Sequence, residues 1–326
     1  MIPTMPQTPL PNYLREFVGS NHYRKICVNA VAPILRDLYH EIKIVLGANT
    51  HHVIEGMLGT SMRLVYYQMR DEKAISIEAL WKFANLWKNI CRKSGSDFSN
   101  LWQVISANVR GFTVGGAPNV TFLPKMLTPR LAYFLGVLFG DGSLSSGDKR
   151  YAIKVDDETE FLPHFIKKLS AEMFGVSGTV VKDRNGHSWS CNSKVLHIFL
   201  NEIFQMPVGK KKGLLAMPKS IKGAPLGIQK WFIVGLMDSD GSVAGSKNPN
   251  ASPRLELRLS CLQLLIDIKE ALRKFGIYIG GPYLHAHDGS ALIATTSLRQ
   301  IRKYAMRVGF LYPNKVKLMR NILESY

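Results

Sequence analysis

The 326 residues carry 42 Lys and Arg against 24 Asp and Glu, a formal charge of +18, with 46% hydrophobic residues and a mean hydropathy of −0.01. This is the composition of a globular chain long enough for two cores, and the absence of an uninterrupted apolar run of about 18 residues argues against a membrane span. Both parts are basic, 14 against 8 in residues 1–125 and 28 against 16 in the rest, so a polyanion is the expected partner. No basic amphipathic anchor accompanies the charge, which favours nucleic acid over a membrane surface.

From the N-terminus, Met1 to Asn12 is proline-rich and polar and lacks the apolar core of an export signal. Cys27, Cys91, Cys191 and Cys261 lie far apart with no C-x-x-C pair, and they read as free thiols of a reducing, cytoplasmic compartment, in a prokaryote or an organelle. Residues 1–125 are expected to form an all-α domain, since Val31, Leu35, Leu38, Ile42 and Val45 recur near the helical period. Within it, Thr50–Leu58, then Gly59-Thr60-Ser61, then Met62–Arg70 follow the plan of a helix-turn-helix, with Thr50 and Ser61 as expected N-caps. The segment is similar to the DNA-binding domains of repressor-type regulators. That likeness would put Arg63, Tyr66, Tyr67 and Arg70 on the groove-facing side. Gly111, Gly115, Gly116, Pro118, Pro124 and Pro129 then mark a linker over about 111–129.

Two stretches 99 positions apart follow, Phe134-Leu-Gly136-Val-Leu-Phe-Gly140-Asp141-Gly142-Ser143 and Ile233-Val-Gly235-Leu-Met-Asp238-Ser239-Asp240-Gly241-Ser242. Each is an apolar, helix-length run stopped by Asp-Gly, so Asp141 and Asp240 are expected at helix C-termini. Small residues four apart, Gly136/Gly140 and Gly235/Ser239, let two backbones approach closely, and each run is the natural partner of the other. Packed so, the helices bring two carboxylates and two negative dipole ends together, which calls for a hard divalent cation, Mg2+ first, held by Asp141, Asp240 and the carbonyls of Gly140 and Ser239.

These stretches resemble the paired motif of the LAGLIDADG (dodecapeptide) homing endonucleases, in a single-chain form that carries both copies over roughly residues 126–326. The second copy keeps the family's D-x-D-G ending as Asp238-Ser239-Asp240-Gly241, whereas Phe139 replaces the first Asp in the other copy. In that family the last acid of each motif holds the metal and the earlier one is not essential, so the resemblance implies this role for Asp141 and Asp240. It further implies a monomer with internal pseudo-twofold symmetry that uses two or three divalent ions and leaves a short 3′ overhang.

The remainder repeats itself. Strands Arg150–Val155 and Arg254–Leu259 alternate apolar and polar, helices Glu158–Phe174 and Leu262–Phe275 follow, hairpins turn at Asn185-Gly186 and Asp288-Gly289, and helices Lys194–Phe204 and Leu298–Val308 close the halves. The expected fold is therefore α+β, two αββαββα halves (about 126–222 and 223–326) forming a DNA-binding saddle. Arg150, Lys154, Lys182, Arg184, Arg254 and Arg258 are expected to face DNA. The offset between copies drifts to about 104, which pairs Lys211 with Lys315, and the resemblance gives these two the catalytic lysine role, with Lys210 or Lys212 as alternates. His285-x-His287 is expected on a strand in a surface or phosphate-facing role. Asp156, Asp157 and Glu158 are expected to favour the N-terminus of the next helix, although Asp156 stands near the metals.

Together these readings describe a site-specific endonuclease making a double-strand break in a long asymmetric DNA site by Mg2+-dependent hydrolysis. A non-cutting DNA-binding regulator on the same scaffold and an RNA maturase that aids intron splicing are the alternatives.

Overall fold

The structure is a computed structural model that describes residues 7–10, 17, 26–115, 119–147, 150–184, 186–245 and 252–325. The chain divides into two units, one of Pro11–Leu123 and Lys194–Ile203 and another of Met1–Leu10, Pro124–Ser193 and Phe204–Tyr326. Strand β1 (Thr8–Pro9) belongs to the second, larger unit.

In the smaller unit, β2 (Ile26–Val28) leads into helices α1 (Ala32–Leu46), α2 (Thr50–Leu58) and α3 (Met62–Met69), then β3 (Ile75–Ser76), α4 (Ile77–Ile90), α5 (Gly95–Asn108) and β4 (Phe112–Val114). Helix α1 buries Ile34, Leu35, Leu38 and Ile42, and α4 buries Ile77, Leu80, Phe83, Ala84 and Trp87, the stripe that the 3.6 period requires. The expectation of a wholly helical part needs correction, because β2, β3 and β4 form a three-stranded antiparallel sheet. Strands of two or three residues are too short to show an alternation, so the sequence pattern hides them. The linker expectation is narrowed as well. Phe112 and Thr121 exchange backbone hydrogen bonds of 2.9 and 2.8 Å, which pins part of that stretch, while Gly116 and Pro118 lie outside the described residues.

The larger unit begins with β5 (Met126–Leu127), paired with β1, and then runs twice through one pattern. The first pass is α6 (Pro129–Gly140), β6 (Gly142–Gly147), β7 (Arg150–Asp157), α7 (Phe161–Phe174), β8 (Thr179–Asp183) and β9 (Gly186–Asn192), after which the chain runs through α8 (Lys194–Phe204), whose residues Lys194–Ile203 belong to the smaller unit. After a short α9 (Lys219–Lys222) come α10 (Leu226–Ser239), β10 (Gly241–Ala244), β11 (Arg254–Leu259), α11 (Leu262–Lys274), β12 (Gly280–Leu284), β13 (Ala291–Thr295), α12 (Leu298–Arg307) and α13 (Pro313–Ser325). The two antiparallel sheets have matching orders, β6-β7-β9-β8 and β10-β11-β13-β12, so the fold is the expected α+β repeat. Helices α7 and α11 both end at a glycine of positive φ, Gly175 at 69° and Gly276 at 67°, a conformation that only glycine adopts cheaply. Alternation sorts the strands as expected: Ile153, Val155, Leu255 and Leu257 are buried, and Arg150, Lys154, Arg254 and Arg258 are exposed. Asn185 of the first expected hairpin turn lies outside the described residues.

Candidate active site at the paired helix ends

Thr128 caps α6 by accepting the Leu131 amide at 3.2 Å, and Pro129 fills the first turn, where its missing N–H costs nothing. Past Arg130 and Lys230, the bodies of α6 and α10 are buried over Leu131–Phe139 and Trp231–Asp238, as only helices in the middle of a core are. They meet at their glycines. A Cβ on Gly136 would press on the Phe232 carbonyl and stand 2.8 Å from the Leu236 nitrogen, and one on Gly235 would press on the Tyr133 carbonyl. At Gly140 the neighbours become Ser239 and, at 2.8 Å, the Asp240 carboxylate. Asp141 and Asp240 thus close the C-termini of the two helices side by side.

Each carboxylate is held well above its ordinary range. Burial pushes Asp141 up to about 7, with Asp240 and Asp157 adding repulsion against the pull of Lys211 and Lys315. Burial also pushes Asp240 up to about 6 against the same two lysines. Both lysines are lowered by their own burial. The arrangement is twofold in kind: Lys211 Nζ donates to the carbonyls of Leu138, Phe139 and Gly140 at the end of α6, and Lys315 Nζ donates to those of Met237, Asp238 and Ser239 at the end of α10. An ammonium at the negative end of a helix is favourable on dipole grounds, and it engages the same carbonyls that sequence reasoning offered to a cation. Of the three adjacent lysines, Lys211 is the one at the helix end. Lys212 reaches the Asp288 carbonyl at 2.9 Å, and Lys210 is exposed.

The two copies differ where Phe139 stands in place of an Asp. Asp238 is 1% exposed; it accepts the Tyr133 hydroxyl at 2.9 Å and the Leu311 amide at 3.1 and 3.2 Å. Burial raises it to about 6, with those donors and Lys315 pulling it down. The residues 99 positions away from this Tyr133–Asp238 pair are Phe232 and Phe139, which form an edge-to-face aromatic pair with centroids 5.4 Å apart. One half thus locks its helices with a hydrogen bond and the other with two rings. Tyr133→Phe is expected to cost about 1–3 kcal/mol, because it strips a donor from a buried carboxylate. Urea unfolding with an unchanged m value measures that loss.

A cavity of about 830 Å³ opens beside the helix ends, lined among others by Asp141, Asp157, His187, Asp238, Tyr312 and Lys315. Sequence reasoning missed Asp157 and Tyr312. It also placed Asp156–Glu158 at the next helix, but α7 starts at Phe161 with no acid in its first turn. Asp156 pairs with Lys154 at 2.8 Å instead, while Asp157 adds to the charge felt by Asp141. Alternation held the signal: Asp157 continues the inward face of Ile153 and Val155. Lys182 needs correction for the same reason. It registers with His187 and Asp157, three positions along β9 from the Ser190 that faces Lys154, so it lies on the opposite face of the sheet from Lys154. Arg184 is exposed in the turn after β8. His285 and His287 lie beyond β12 in the loop, not on a strand. Among the described residues no group of three or more His, Cys, Asp or Glu side chains is arranged to hold a metal.

In the smaller unit, α2, the turn at Gly59 (φ 64°) and α3 follow the helix-turn-helix plan. Ser61 is the N-cap of α3, as expected, though its side chain makes no cap bond, whereas Asn49 and not Thr50 is the N-cap of α2. Glu55 on α2, not Ser61, accepts the Met62 amide at 2.7 Å, and Thr50 donates to the Gly47 carbonyl at 2.7 Å from inside the helix. Helix α3 buries Met62, Val65, Gln68 and Met69 and leaves Arg63, Tyr66 and Arg70 exposed, with Tyr67 half-buried between the guanidinium of Arg63 and the ammonium of Lys73.

These elements define a pseudo-twofold α+β domain in which each half delivers one acid and one lysine to the end of a glycine-packed helix pair. Residues 227–309, within the second repeat, match the family model described as a LAGLIDADG-like domain. Homing endonuclease I-ApeI of Aeropyrum pernix is 27% identical over 198 residues, 59% of this chain and 86% of that protein. Among solved structures, I-DmoI in complex with DNA and Mn is 20% identical, with a TM-score of 0.42 over 56% of this chain and 96% of its own. The N-terminal LAGLIDADG domain of DUF199/WhiA is 15% identical, with a TM-score of 0.39 over 56% of this chain and 81% of its own.

Proposed function

We propose that the protein is a site-specific DNA endonuclease that makes a double-strand break. The observation that carries this reading is the acid-and-lysine pair given twice at the ends of α6 and α10. Two carboxylates raised by burial, and one of them by its neighbour as well, are a donor set short of positive charge, which fits a hard divalent cation such as Mg2+. Asp141 and Asp240 would hold it, since the carbonyls of Gly140 and Ser239 already accept the Lys211 and Lys315 ammoniums. When bound, such ions supply the charge that acidifies an attacking water and stabilises the leaving 3′ oxygen. Lys211 and Lys315 then balance charge that builds on the phosphate, from helix ends that already orient them. Arg150, Lys154, Arg254 and Arg258, on the exposed strand faces, take phosphates and base edges of duplex DNA, and two halves alike in plan but unlike in sequence require an asymmetric site.

The test is cleavage of a randomised or genomic DNA library with Mg2+ by the parent, Asp141→Asn and Asp240→Asn. Cutting by the parent alone supports the reading. Sequence-selective binding without cutting under any divalent ion turns it to a regulator, the second reading that the helix-turn-helix favours. On either reading the smaller unit adds DNA affinity through Arg63, Tyr67 and Arg70. The double variant Arg63→Ala/Arg70→Ala is expected to weaken binding about 10-fold or more and to lower the salt dependence by about two counterions, measured as Kd against salt concentration.

A further inference from the structure

A lysine ammonium on its flexible stem keeps one position only if its backbone is fixed. The segment bearing Lys315, in the second half, is held by its own half through Asp238 and the Leu311 amide and is also tied to the first half. The Thr159 hydroxyl donates to Asp157 at 3.1 Å, which leaves it to accept the Tyr312 hydroxyl, and the Tyr312 ring lies 5.4 Å from the Lys315 ammonium. The segment bearing Lys211, in the first half, is held by its own half through the Gly209 amide on the Leu144 carbonyl at 2.7 Å and is also tied to the second. The Cys261 thiol donates to the Lys211 carbonyl at 3.1 Å, the Gly213 amide to the Ser260 carbonyl at 3.2 Å, and the Lys212 ammonium to the Asp288 carbonyl at 2.9 Å.

The two attachments start from equivalent places. Gly142 registers with Val155 and Gly241 with Leu257, so β7 and β11 correspond at an offset of 102, which sets Thr159 and Cys261 at matching places after their strands. One latch thus occurs twice, each time from one half onto the lysine segment of the other. We infer that Thr159, Tyr312 and Cys261 are positioning residues through which each half aligns the lysine of its partner half, so that neither cutting centre assembles alone. The inference rests on the endonuclease reading for its consequence and on contacts alone for its geometry.

The test uses the full chain and a target duplex labelled separately on each strand, with Lys315→Met and Lys211→Met identifying the strand served by each lysine. Thr159→Val and Tyr312→Phe are expected to slow the Lys315 strand about 10-fold in kcat with KM unchanged, and Cys261→Ala to slow the Lys211 strand likewise. Thr159→Ser and Cys261→Ser, which keep a donor, are expected to restore the parental strand ratio. Equal slowing of both strands, or no rescue, overturns the latch as mere destabilisation. Amide exchange without DNA gives a second reading. Thr159→Val quickens Leu311 and Val316 and spares Gly213 and Leu214, and Cys261→Ala does the reverse. Should the parent cut no DNA, the endonuclease reading falls while exchange still decides the latch, and an opposite segment unmoved by either variant overturns it.

Discussion

Asp141→Asn and Asp240→Asn are each expected to lower double-strand cleavage by about 10³-fold or more, the scale of removing a principal stabiliser of transition-state charge, while leaving DNA binding close to parental. The amide keeps the shape of the carboxylate and its place at the helix end but cannot bring a negative charge to a cation. Asp141 and Asp240 share one pair of lysines, and Asp240 raises Asp141, so the site titrates as a unit and loss of either acid disables it. Gel analysis of a supercoiled plasmid bearing the target separates linear product from nicked circles. Full-rate linear product from either variant would remove that acid from the mechanism.

The same substitutions move stability the other way. Burial raises Asp141 to about 7 and Asp240 to about 6 from 3.8, so in the fold both acids hold protons that the unfolded chain releases. The stability linked to those protons is fully present below about pH 4 and is lost as pH rises through 6 and 7. Chelated parent protein is therefore expected to be less stable at pH 8 than Asp141→Asn, by on the order of 2–4 kcal/mol. Divalent cation is expected to raise the parent and leave the variant nearly unmoved. Calorimetry in EDTA and in Mg2+ checks both signs.

Much of this site was legible because its chemistry is repeated. An Asp-Gly stop after an apolar run is ordinary once, but the same stop twice, with glycine at matching positions ahead of it, names a helix pair and its carboxylates. The drift of the offset from 99 to about 104 was enough to bring Lys211 opposite Lys315 before any coordinates, and both reach their helix ends. What stayed hidden depends on the partner more than on the residue. Asp157 and Asp156 are alike in sequence, and only the strand face separates the one beside Asp141 from the one paired to Lys154. Lys182 looked like any other basic strand residue until its register with His187 set it on the inner face. Asp238 read as a dispensable relic of the motif, yet it ties α10 to α6 through Tyr133 and to the Lys315 segment through Leu311, contacts that run over 105 and 73 positions of chain. The small sheet of the N-terminal part was lost for a simpler reason, that strands of two or three residues carry no period.

Gly136→Ala and Gly235→Ala are expected to be the most destabilising single substitutions of the larger unit, on the order of 3–5 kcal/mol, above the usual range for overpacking because the obstacle on each side is main chain. A methyl at Gly136 meets the Phe232 carbonyl and the Leu236 nitrogen, and one at Gly235 meets the Tyr133 carbonyl and the Val137 nitrogen at 3.0 Å. Neither can swing away, so the helices must part, and with them Asp141 and Asp240. Gly140→Ala probes the site more than the core, since its obstacles are the Ser239 and Asp240 side chains, which can rotate. It is expected to cost less in folding and to impair cleavage through a displaced Asp240. Gly56, within α2 and open to space on all sides within 4 Å, supplies the opposite sign: there alanine is expected to stabilise by about 0.5–1 kcal/mol, the gain in helix propensity without a clash. Urea unfolding of the four variants tests the helix pair directly, because one and the same added methyl must harm at 136 and 235 and help at 56. If Gly136→Ala unfolds at parental urea concentration, the backbones of α6 and α10 do not touch there, and the shared axis that brings the two acids together is lost with the contact.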